Sequence, residues 1–234
     1  MAVAVDRAVV EELKEKIALG CRILGKLGLS DYLGHISARV PGTEYVLIKP
    51  SGLDHGSLTK MTADKVVMVD YDGHRVEGTT RPPGETMLHL EILRARPDVG
   101  AVVHTHQPLA TVFGDQEKPI LPMQGVMAAV VARPIPIYRS SRKVMTREQG
   151  AEVARTLGDH PAVHLKNHGV VTVGASVEEA VINAIWLEHQ AKLTLWGHLL
   201  GTPRGMDPAE LPYQFSEAEP LTGRWNYYVS LLDE

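Results

Sequence analysis

One stretch limits this chain more than any other: a short apolar run, Gly100–Val103, leads directly into His104, Thr105 and His106. Such a run predicts a β-strand, and alternate residues of a strand lie on the same face. The two imidazoles then lie about 6.5 Å apart along one edge and can converge on a single ion. This spacing predicts two metal ligands at the end of a strand.

Two further residues can join this site. His168 lies in a turn beside a second apolar run, and Glu85 lies at the start of a predicted helix. Three imidazole ligands leave coordination positions open for water or substrate, as catalytic metal sites require. A carboxylate beside the ion can accept or return a proton at the carbon whose neighbouring oxygen the ion polarises. Each residue alone also has a structural explanation, because strand-end histidines often pack in a core and acidic residues are favoured near helix N-termini.

The composition fits one α/β domain spanning residues 1–234. Hydrophobic residues make up 44% of the chain, which is enough for a buried core. The net charge is −4 and no basic block is present, so we expect neither nucleic acid nor a membrane as a partner. The one cysteine, Cys21, falls on the apolar side of the first predicted helix, which excludes disulfides and thiolate zinc sites. We expect a cytoplasmic protein whose partner is a small molecule.

Apolar periodicity and helix caps predict alternating helices and strands. Asp6 caps the first helix, and Ser176 opens the longest one with Glu179 as its capping-box partner. The tail from about Gly201 to Arg224 is rich in Pro and Gly and is predicted to be irregular. Predicted helices cover 6–28, 86–96, 108–113, 146–157 and 176–200, and predicted strands cover 34–40, 45–49, 66–70, 101–105, 134–138, 160–166 and 170–173. Together they predict a layered α/β domain with a largely antiparallel sheet.

Three loop segments offer groups that can grip an anion. His35 lies in a glycine turn, Ser51 and Gly52 form a second turn, and Arg81 precedes Glu85 by four residues. Main-chain N–H groups and hydroxyls in turns bind anions, and an Arg can hold a carboxylate through two hydrogen bonds. The alternatives are that Ser51-Gly52 is an ordinary turn, that Arg81 is a solvated loop residue, and that His35 only braces its turn.

The order of these motifs resembles the class II aldolase/adducin family. The residues that carry the resemblance are Gly34-His35-Ile36-Ser37-Ala38-Arg39, Pro50-Ser51-Gly52, Glu85, His104-Thr105-His106 and Asn167-His168-Gly169. The resemblance implies a three-layer α/β/α sandwich around an antiparallel sheet and a homotetramer with active sites at subunit interfaces. It also implies that His104, His106 and His168 hold one divalent metal ion per subunit and that Glu85 is the acid/base and possible resting ligand.

The chain departs from the sugar-phosphate members of this family at two places. Those members carry an Asn in the first glycine turn and a Ser-Ser pair before the glutamate, whereas this chain has His35 and Pro83-Gly84. A phosphate would lose several hydrogen-bond donors, each worth about 1.5 to 3 kcal/mol. The motifs are more similar to the decarboxylase branch, which includes hydroxypyridine-dicarboxylate and dihydroxyphthalate decarboxylases.

The branch implies a metal-dependent carbon–carbon lyase that decarboxylates a small hydroxylated aromatic or pyridine dicarboxylate, such as 3-hydroxy-2-methylpyridine-4,5-dicarboxylate. We expect Mn²⁺ or Zn²⁺ as the cofactor, with Glu85 or His35 protonating the ring carbon and with Ser51, Gly52 and Arg81 binding substrate. One alternative is an aldolase, epimerase or dehydratase acting on a sugar phosphate or a hydroxy-keto acid. Another is an adducin-like binding module that has kept the fold without catalysis.

The sequence leaves the roles of three further features undecided. His89 lies one helical turn after Glu85 and can orient that carboxylate or pack in the core. His55 can line a pocket or lie on a turn surface. The aromatic segment Trp225–Tyr228 can pack, or it can close the site with a tyrosine as the family resemblance allows.

Overall fold

Eight strands form a single sheet in the computed structural model of this chain, which describes residues 5–52, 56–211 and 220–233. In chain order they are β1 (His35–Arg39), β2 (Tyr45–Ile48), β3 (Val67–Asp70), β4 (Arg75–Glu77), β5 (Ala101–Thr105), β6 (Ile137–Tyr138), β7 (Ala162–Leu165) and β8 (Gly169–Gly174). The order across the sheet is β4-β3-β2-β1-β5-β8-β7-β6. Neighbouring strands are antiparallel except β6 and β7, which are parallel. The prediction of a largely antiparallel sheet is therefore confirmed.

Among the described residues, six α-helices cover this sheet, and the first five begin within one residue of their predicted starts. They are α1 (Arg7–Lys26), α2 (Thr86–Ala95), α3 (Pro108–Asp115), α4 (Arg147–Leu157), α5 (Val177–Leu200) and α6 (Leu221–Ser230). The Asp6 side chain accepts the Ala8 N–H at the start of α1, and Ser176 accepts the Glu179 N–H at the start of α5. The Glu179 side chain accepts the N–H of Ala175, one residue before the cap. These side chains satisfy main-chain donors that a helix start leaves unpaired.

Two apolar clusters lie on the two faces of the sheet. Alternation along β5 separates them, because Ala101 and Val103 belong to the larger cluster and Val102 belongs to the smaller one. Residues of α1, α3, α5 and α6 complete the larger cluster, and residues of α2 and α4 complete the smaller one. The protein is therefore a three-layer α/β/α sandwich, as predicted.

Two elements differ from the sequence predictions. The strand β4 was not predicted, because its residues are exposed or half-buried and show no apolar alternation. The prediction of irregular chain as far as Arg224 is wrong from Leu221 onwards, where α6 begins and buries Trp225 in the larger cluster. Residues 201–210 are irregular, as expected. Within the described ranges, no helix combines the length and apolar character needed to cross a membrane.

Candidate active site

The structure brings His104, His106 and His168 together, and we call these three residues the imidazole triad. His104 lies near the end of β5, His106 follows that strand, and His168 lies in the turn between β7 and β8. One ring nitrogen from each residue lies within 4.8 Å of those of the other two, and the Nε2 atoms of His104 and His106 are 3.1 Å apart. The pairing of β5 with β8 produces this arrangement, because it places the β7–β8 turn beside the end of β5.

The triad has the properties that a divalent metal requires of its ligands. The Nδ1–H of His104 donates to the Val170 carbonyl at 3.0 Å, which leaves the Nε2 lone pair for a metal. Burial lowers the pKa of His104 to about 3, and burial followed by the effect of His168 lowers the pKa of His106. Both rings are then neutral at neutral pH, which is the form that binds metal. The buried Nδ1 of His168 has no hydrogen-bond partner among the described residues. These residues therefore fit a metal ion.

Gly169 allows the backbone of β8 to approach the triad. A Cβ atom at this position would lie 2.4 Å from the Thr105 carbonyl oxygen and 2.9 Å from Cδ2 of His106. Any side chain here would therefore push β8 away from β5.

Glu85 is buried next to the triad, immediately before α2. One of its carboxylate oxygens, Oε1, accepts the Val144 N–H at 3.0 Å, and Oε2 lies 3.6 Å from His168 Nε2 and 3.9 Å from His104 Nε2. Burial raises the pKa of this carboxyl, but the contacts with His168, His104 and Val144 outweigh burial and lower the pKa to about 2. Glu85 is thus ionised at neutral pH, which is the form that has a site for a proton.

His35 extends the cluster on the neighbouring strand. It lies directly opposite His104 in the β1–β5 ladder, and the two ring centroids are 5.3 Å apart. The His89 ring also packs edge-on against His35, with the two ring centroids 5.6 Å apart, and its Nδ1 shares a 2.8 Å hydrogen bond with the Ser37 hydroxyl. Burial lowers the pKa of His35 well below its usual value and that of His89 to about 4, so both rings are neutral. His89 thus supports His35 in addition to lying one turn from Glu85.

A cleft of about 530 Å³ opens beside Glu85 and the triad. Three loop segments contribute to its lining, and we call them together the loop wall: Ser51–Gly52, Arg81–Gly84 and Ser141–Met145. Within them, the residues that line the cleft are Ser51, Gly52, Arg81, Pro82, Pro83, Gly84, Ser141, Lys143 and Met145. Leu33, His35, Glu85, His106, Asn167 and His168 complete the lining. Every residue predicted from the sequence to bind substrate therefore lines the same cleft as Glu85.

Sequence reasoning missed Lys143, Ser141 and Asn167. Asn167 could have been found from its position next to His168, and it has a left-handed backbone with a φ of 56°. Lys143 lies in a loop with several basic residues, and no sequence pattern distinguishes it from the others.

Among the described residues, the fully charged side chains in the lining are Arg81, Lys143 and Glu85. Although the chain carries a net charge of −4, this cleft holds more cations than anions. It is suited to an anionic ligand.

The C-terminal aromatic segment lies away from this cleft within one chain. Trp225 is buried in the larger apolar cluster, Tyr228 packs partly against the same cluster, and Tyr227 is exposed. None of these three residues is part of the described lining of the cleft. Packing therefore explains Trp225 and Tyr228. His55 lies outside the described residues.

Residues 15–195 match the protein family described as the Class II Aldolase and Adducin N-terminal domain. The chain belongs to this family. It is 36% identical over 213 residues to the 3,4-dihydroxyphthalate decarboxylase of Arthrobacter keyseri, a match that covers 85% of this chain and 86% of that protein. It is 35% identical to the 3,4-dihydroxyphthalate decarboxylase of Terrabacter sp. (strain DBF63), with 84% and 86% covered. The resemblance to the decarboxylase branch of the class II aldolase family is thereby confirmed.

The class II aldolase fold is also seen in solved structures. The L-fuculose 1-phosphate aldolase from Glaciozyma antarctica PI12 superposes with a TM-score of 0.83 at 23% sequence identity, over 100% of this chain and 92% of that chain. At this level of identity the likeness shows the fold alone.

Proposed function

We propose that the protein is a divalent-metal-dependent decarboxylase of a small hydroxylated aromatic dicarboxylate, with 3,4-dihydroxyphthalate as the leading substrate. One observation carries the proposal: three imidazoles and an ionised carboxylate converge at a cleft that also holds Arg81 and Lys143. The names of the two relatives favour a benzene ring. 3-Hydroxy-2-methylpyridine-4,5-dicarboxylate is the second substrate to test, because it also places a hydroxyl next to a carboxylate.

The imidazole triad would hold the metal ion, either Mn²⁺ or Zn²⁺. When bound, the ion supplies a Lewis acid that stabilises negative charge developing on a substrate oxygen. His35, Glu85 and His104 form a second group of potential ligands, in which one ligand atom from each residue lies within 4.8 Å of the other two. Glu85 can therefore share in holding the ion before substrate arrives.

Glu85 carries the proton in the reaction that we propose. In 3,4-dihydroxyphthalate, one carboxylate lies next to the 3-hydroxyl, and this is the group that leaves. Ionised Glu85 accepts the hydroxyl proton and returns it to the ring carbon that bears this carboxylate. The product of that transfer is a β-keto acid. Its carbon–carbon bond breaks, carbon dioxide departs, and the electron pair restores the aromatic ring with its charge on oxygen, where a solvent proton is taken up. One proton is consumed and 3,4-dihydroxybenzoate is released.

His35 and the loop wall would hold the substrate for this transfer. The buried Nδ1 of His35 has no hydrogen-bond partner among the described residues. This ring can bind the departing carboxylate, or it can take up the hydroxyl proton and pass it to the ring carbon in place of Glu85. Arg81 offers a bidentate grip on a carboxylate. The Ser51 N–H is already donated to the Arg81 carbonyl at 2.9 Å, so Ser51 contributes its hydroxyl beside the main chain of Gly52.

The composition of the loop wall weighs against a phosphorylated sugar. Pro82 and Pro83 have no N–H to donate, and Gly84 has no hydroxyl. Steric crowding does not explain why residue 84 is a glycine, because a Cβ atom at this position would approach only Met145 Cε, at 3.8 Å. This segment of the loop wall therefore offers a phosphate fewer donors than a Ser-Ser pair before Glu85 would.

We also propose that the protein is a homotetramer with active sites at subunit interfaces. The end of α5 supports an interface, because Leu199 and Leu200 are 77% and 91% exposed and Trp196 is 49% exposed in the single chain. Burying such a cluster against another subunit is favourable. Light scattering coupled to size-exclusion chromatography should report about four times the chain mass of 25.6 kDa, and a monomer would contradict this part of the proposal.

A substrate panel tests the activity. Metal-stripped protein is reloaded with Mn²⁺ or Zn²⁺ and given 3,4-dihydroxyphthalate, 3-hydroxy-2-methylpyridine-4,5-dicarboxylate and L-fuculose 1-phosphate. We expect metal-dependent carbon dioxide release from a dicarboxylate. Aldehyde formation from the sugar phosphate without any carbon dioxide release would replace the decarboxylase with an aldolase.

A further inference from the structure

Lys143 is the cation of the loop wall that no sequence motif marks. Its side chain is exposed and lines the cleft together with Glu85, His106 and Arg81. Its positive charge also acts on His106, where it adds to the larger effects of burial and of His168. Lys143 therefore lies on the wall of the cleft that a ligand bound at the triad would occupy.

The main chain fixes Lys143 relative to the reacting groups. The next residue, Val144, donates its N–H to Glu85 Oε1 at 3.0 Å and buries its side chain in the smaller apolar cluster. The Met145 N–H is held by the Gln149 side chain at 2.8 Å, just before α4. A flexible ammonium thus projects from a backbone that is anchored on Glu85 and on a helix.

The neighbouring Arg142 provides a natural contrast. It is exposed like Lys143, but it is not part of the cleft lining, and its charge acts on Tyr138. The two adjacent cations therefore lie in different surroundings, and of these two only Lys143 lines the cleft.

We propose that Lys143 binds the carboxylate that the substrate keeps, and that it thereby selects dicarboxylates over monocarboxylates. This inference rests on the proposed function. The carboxylate that leaves must lie beside Glu85 and the triad, so the second carboxylate, on the adjacent ring carbon, extends towards the loop wall. A compact ammonium group on a flexible stem can follow this carboxylate without imposing one orientation, unlike the planar fork of an arginine.

The first experiment compares substrates in steady-state kinetics. The variants are Lys143→Met, Lys143→Arg and the matched control Arg142→Met, and the ligands are 3,4-dihydroxyphthalate and 2,3-dihydroxybenzoate, which lacks the retained carboxylate. We expect Lys143→Met to raise KM for the dicarboxylate about 10- to 100-fold with little change in kcat. Lys143→Arg should recover most of this loss, and Arg142→Met should behave like the wild type. The inhibition constant of 2,3-dihydroxybenzoate should be unchanged in Lys143→Met.

Two results would overturn the inference. One is an unchanged KM for the dicarboxylate in Lys143→Met. The other is an equal weakening of both ligands, which would mean that Lys143 does not recognise the second carboxylate. Circular dichroism and metal content identify any variant that fails to fold, and in that case Lys143→Gln takes its place.

A binding experiment separates this inference from the proposed activity. Phthalate, which cannot react, is titrated into metal-loaded wild type and Lys143→Met by calorimetry, with benzoate as the monocarboxylate reference. Preferential phthalate binding that is lost in Lys143→Met supports the inference even if no dicarboxylate is decarboxylated. Equal binding of phthalate to both proteins overturns it, even if the decarboxylase activity is found.

Discussion

The imidazole triad and the loop wall meet at one cleft, but they are built differently. His104 is fully buried on β5, and the pairing of β5 with β8 sets its distance to His168. Arg81 and Lys143 lie outside strands and helices, on exposed segments. In the function that we propose, the sheet fixes the groups that perform the chemistry, whereas loops carry the groups that recognise the substrate. Changes on the triad side should therefore remove metal or turnover, and changes on the loop side should alter substrate preference.

The largest effect is expected from His104→Ala. Removing a ligand of the triad should abolish stoichiometric metal binding and lower kcat/KM by about 1,000-fold or more, because the ion supplies several kcal/mol of charge stabilisation. Metal analysis and carbon dioxide release measure both effects. His160→Ala is the control and should retain metal and activity, because this residue is in none of the groups of potential metal ligands among the described residues.

An unaltered metal content in His104→Ala would contradict the triad as the metal site. A wild-type protein that binds no metal and turns over no substrate would instead support an adducin-like binding module.

Glu85→Gln separates proton transfer from metal binding. The amide keeps the size of the side chain but cannot accept a proton, so we expect kcat to fall about 100- to 1,000-fold while the metal content stays near the wild-type value. Single-turnover assays with parallel metal analysis provide the measurement. Full turnover in this variant would refute the acid/base role of Glu85.

Gly169→Ala tests whether the close approach of β8 to β5 is needed by the triad. The added methyl group must displace the Thr105 carbonyl or His106, so metal affinity should fall about 10- to 100-fold. Gly84→Ala is the matched control, because its Cβ atom meets only Met145 Cε at 3.8 Å. Competition with a fluorescent chelator measures both affinities. Equal affinities in the two variants would show that the strand spacing does not matter.

The smallest effect concerns Lys49, which precedes the Ser51–Gly52 segment of the loop wall by two residues. Its ammonium is fully buried and donates to the Tyr32 carbonyl at 2.8 Å. Burial lowers its pKa from 10.5 to about 8, although Cys21 and Asp31 partly oppose the shift. Between these two values the unfolded chain binds a proton that the folded chain does not, so this lysine makes the free energy of unfolding rise with pH.

Relative to Lys49→Met, the wild type should therefore gain about 2 kcal/mol of stability between about pH 7 and about pH 9.5. Urea unfolding of both proteins at several pH values measures the difference. A difference that is constant, or that moves in favour of the variant, would contradict the shifted pKa of Lys49.

Local signals explain which parts of the fold could be predicted from the sequence. Asp6, Thr146 and Ser176 cap helices through their side chains, and each of these starts was predicted. The helix α6 has no side-chain cap, and β4 has no buried face, so neither left a local pattern to detect. Tertiary packing, in particular the burial of Trp225, accounts for α6.

The site residues likewise divide into those marked by local sequence signals and those that only the tertiary structure reveals. Spacing and family resemblance marked the triad and Glu85, and the structure brings them together. The Val144 N–H could not be predicted, because every residue except proline has one and its partner is 59 positions away in the chain. Lys143 was missed for a related reason, since only the fold shows which of two adjacent cations reaches the cleft.

The hydrogen bond from Val144 to Glu85 determines which loop residues can be substituted to alter the substrate range. A peptide group rather than a side chain holds the Glu85 carboxylate, so the side chains of residues 141, 143 and 145 can be exchanged without removing this hydrogen bond. Combinatorial libraries at these three positions should yield enzymes with new substrate ranges and intact turnover. Proline at 144 is the one exchange there that removes the anchor itself.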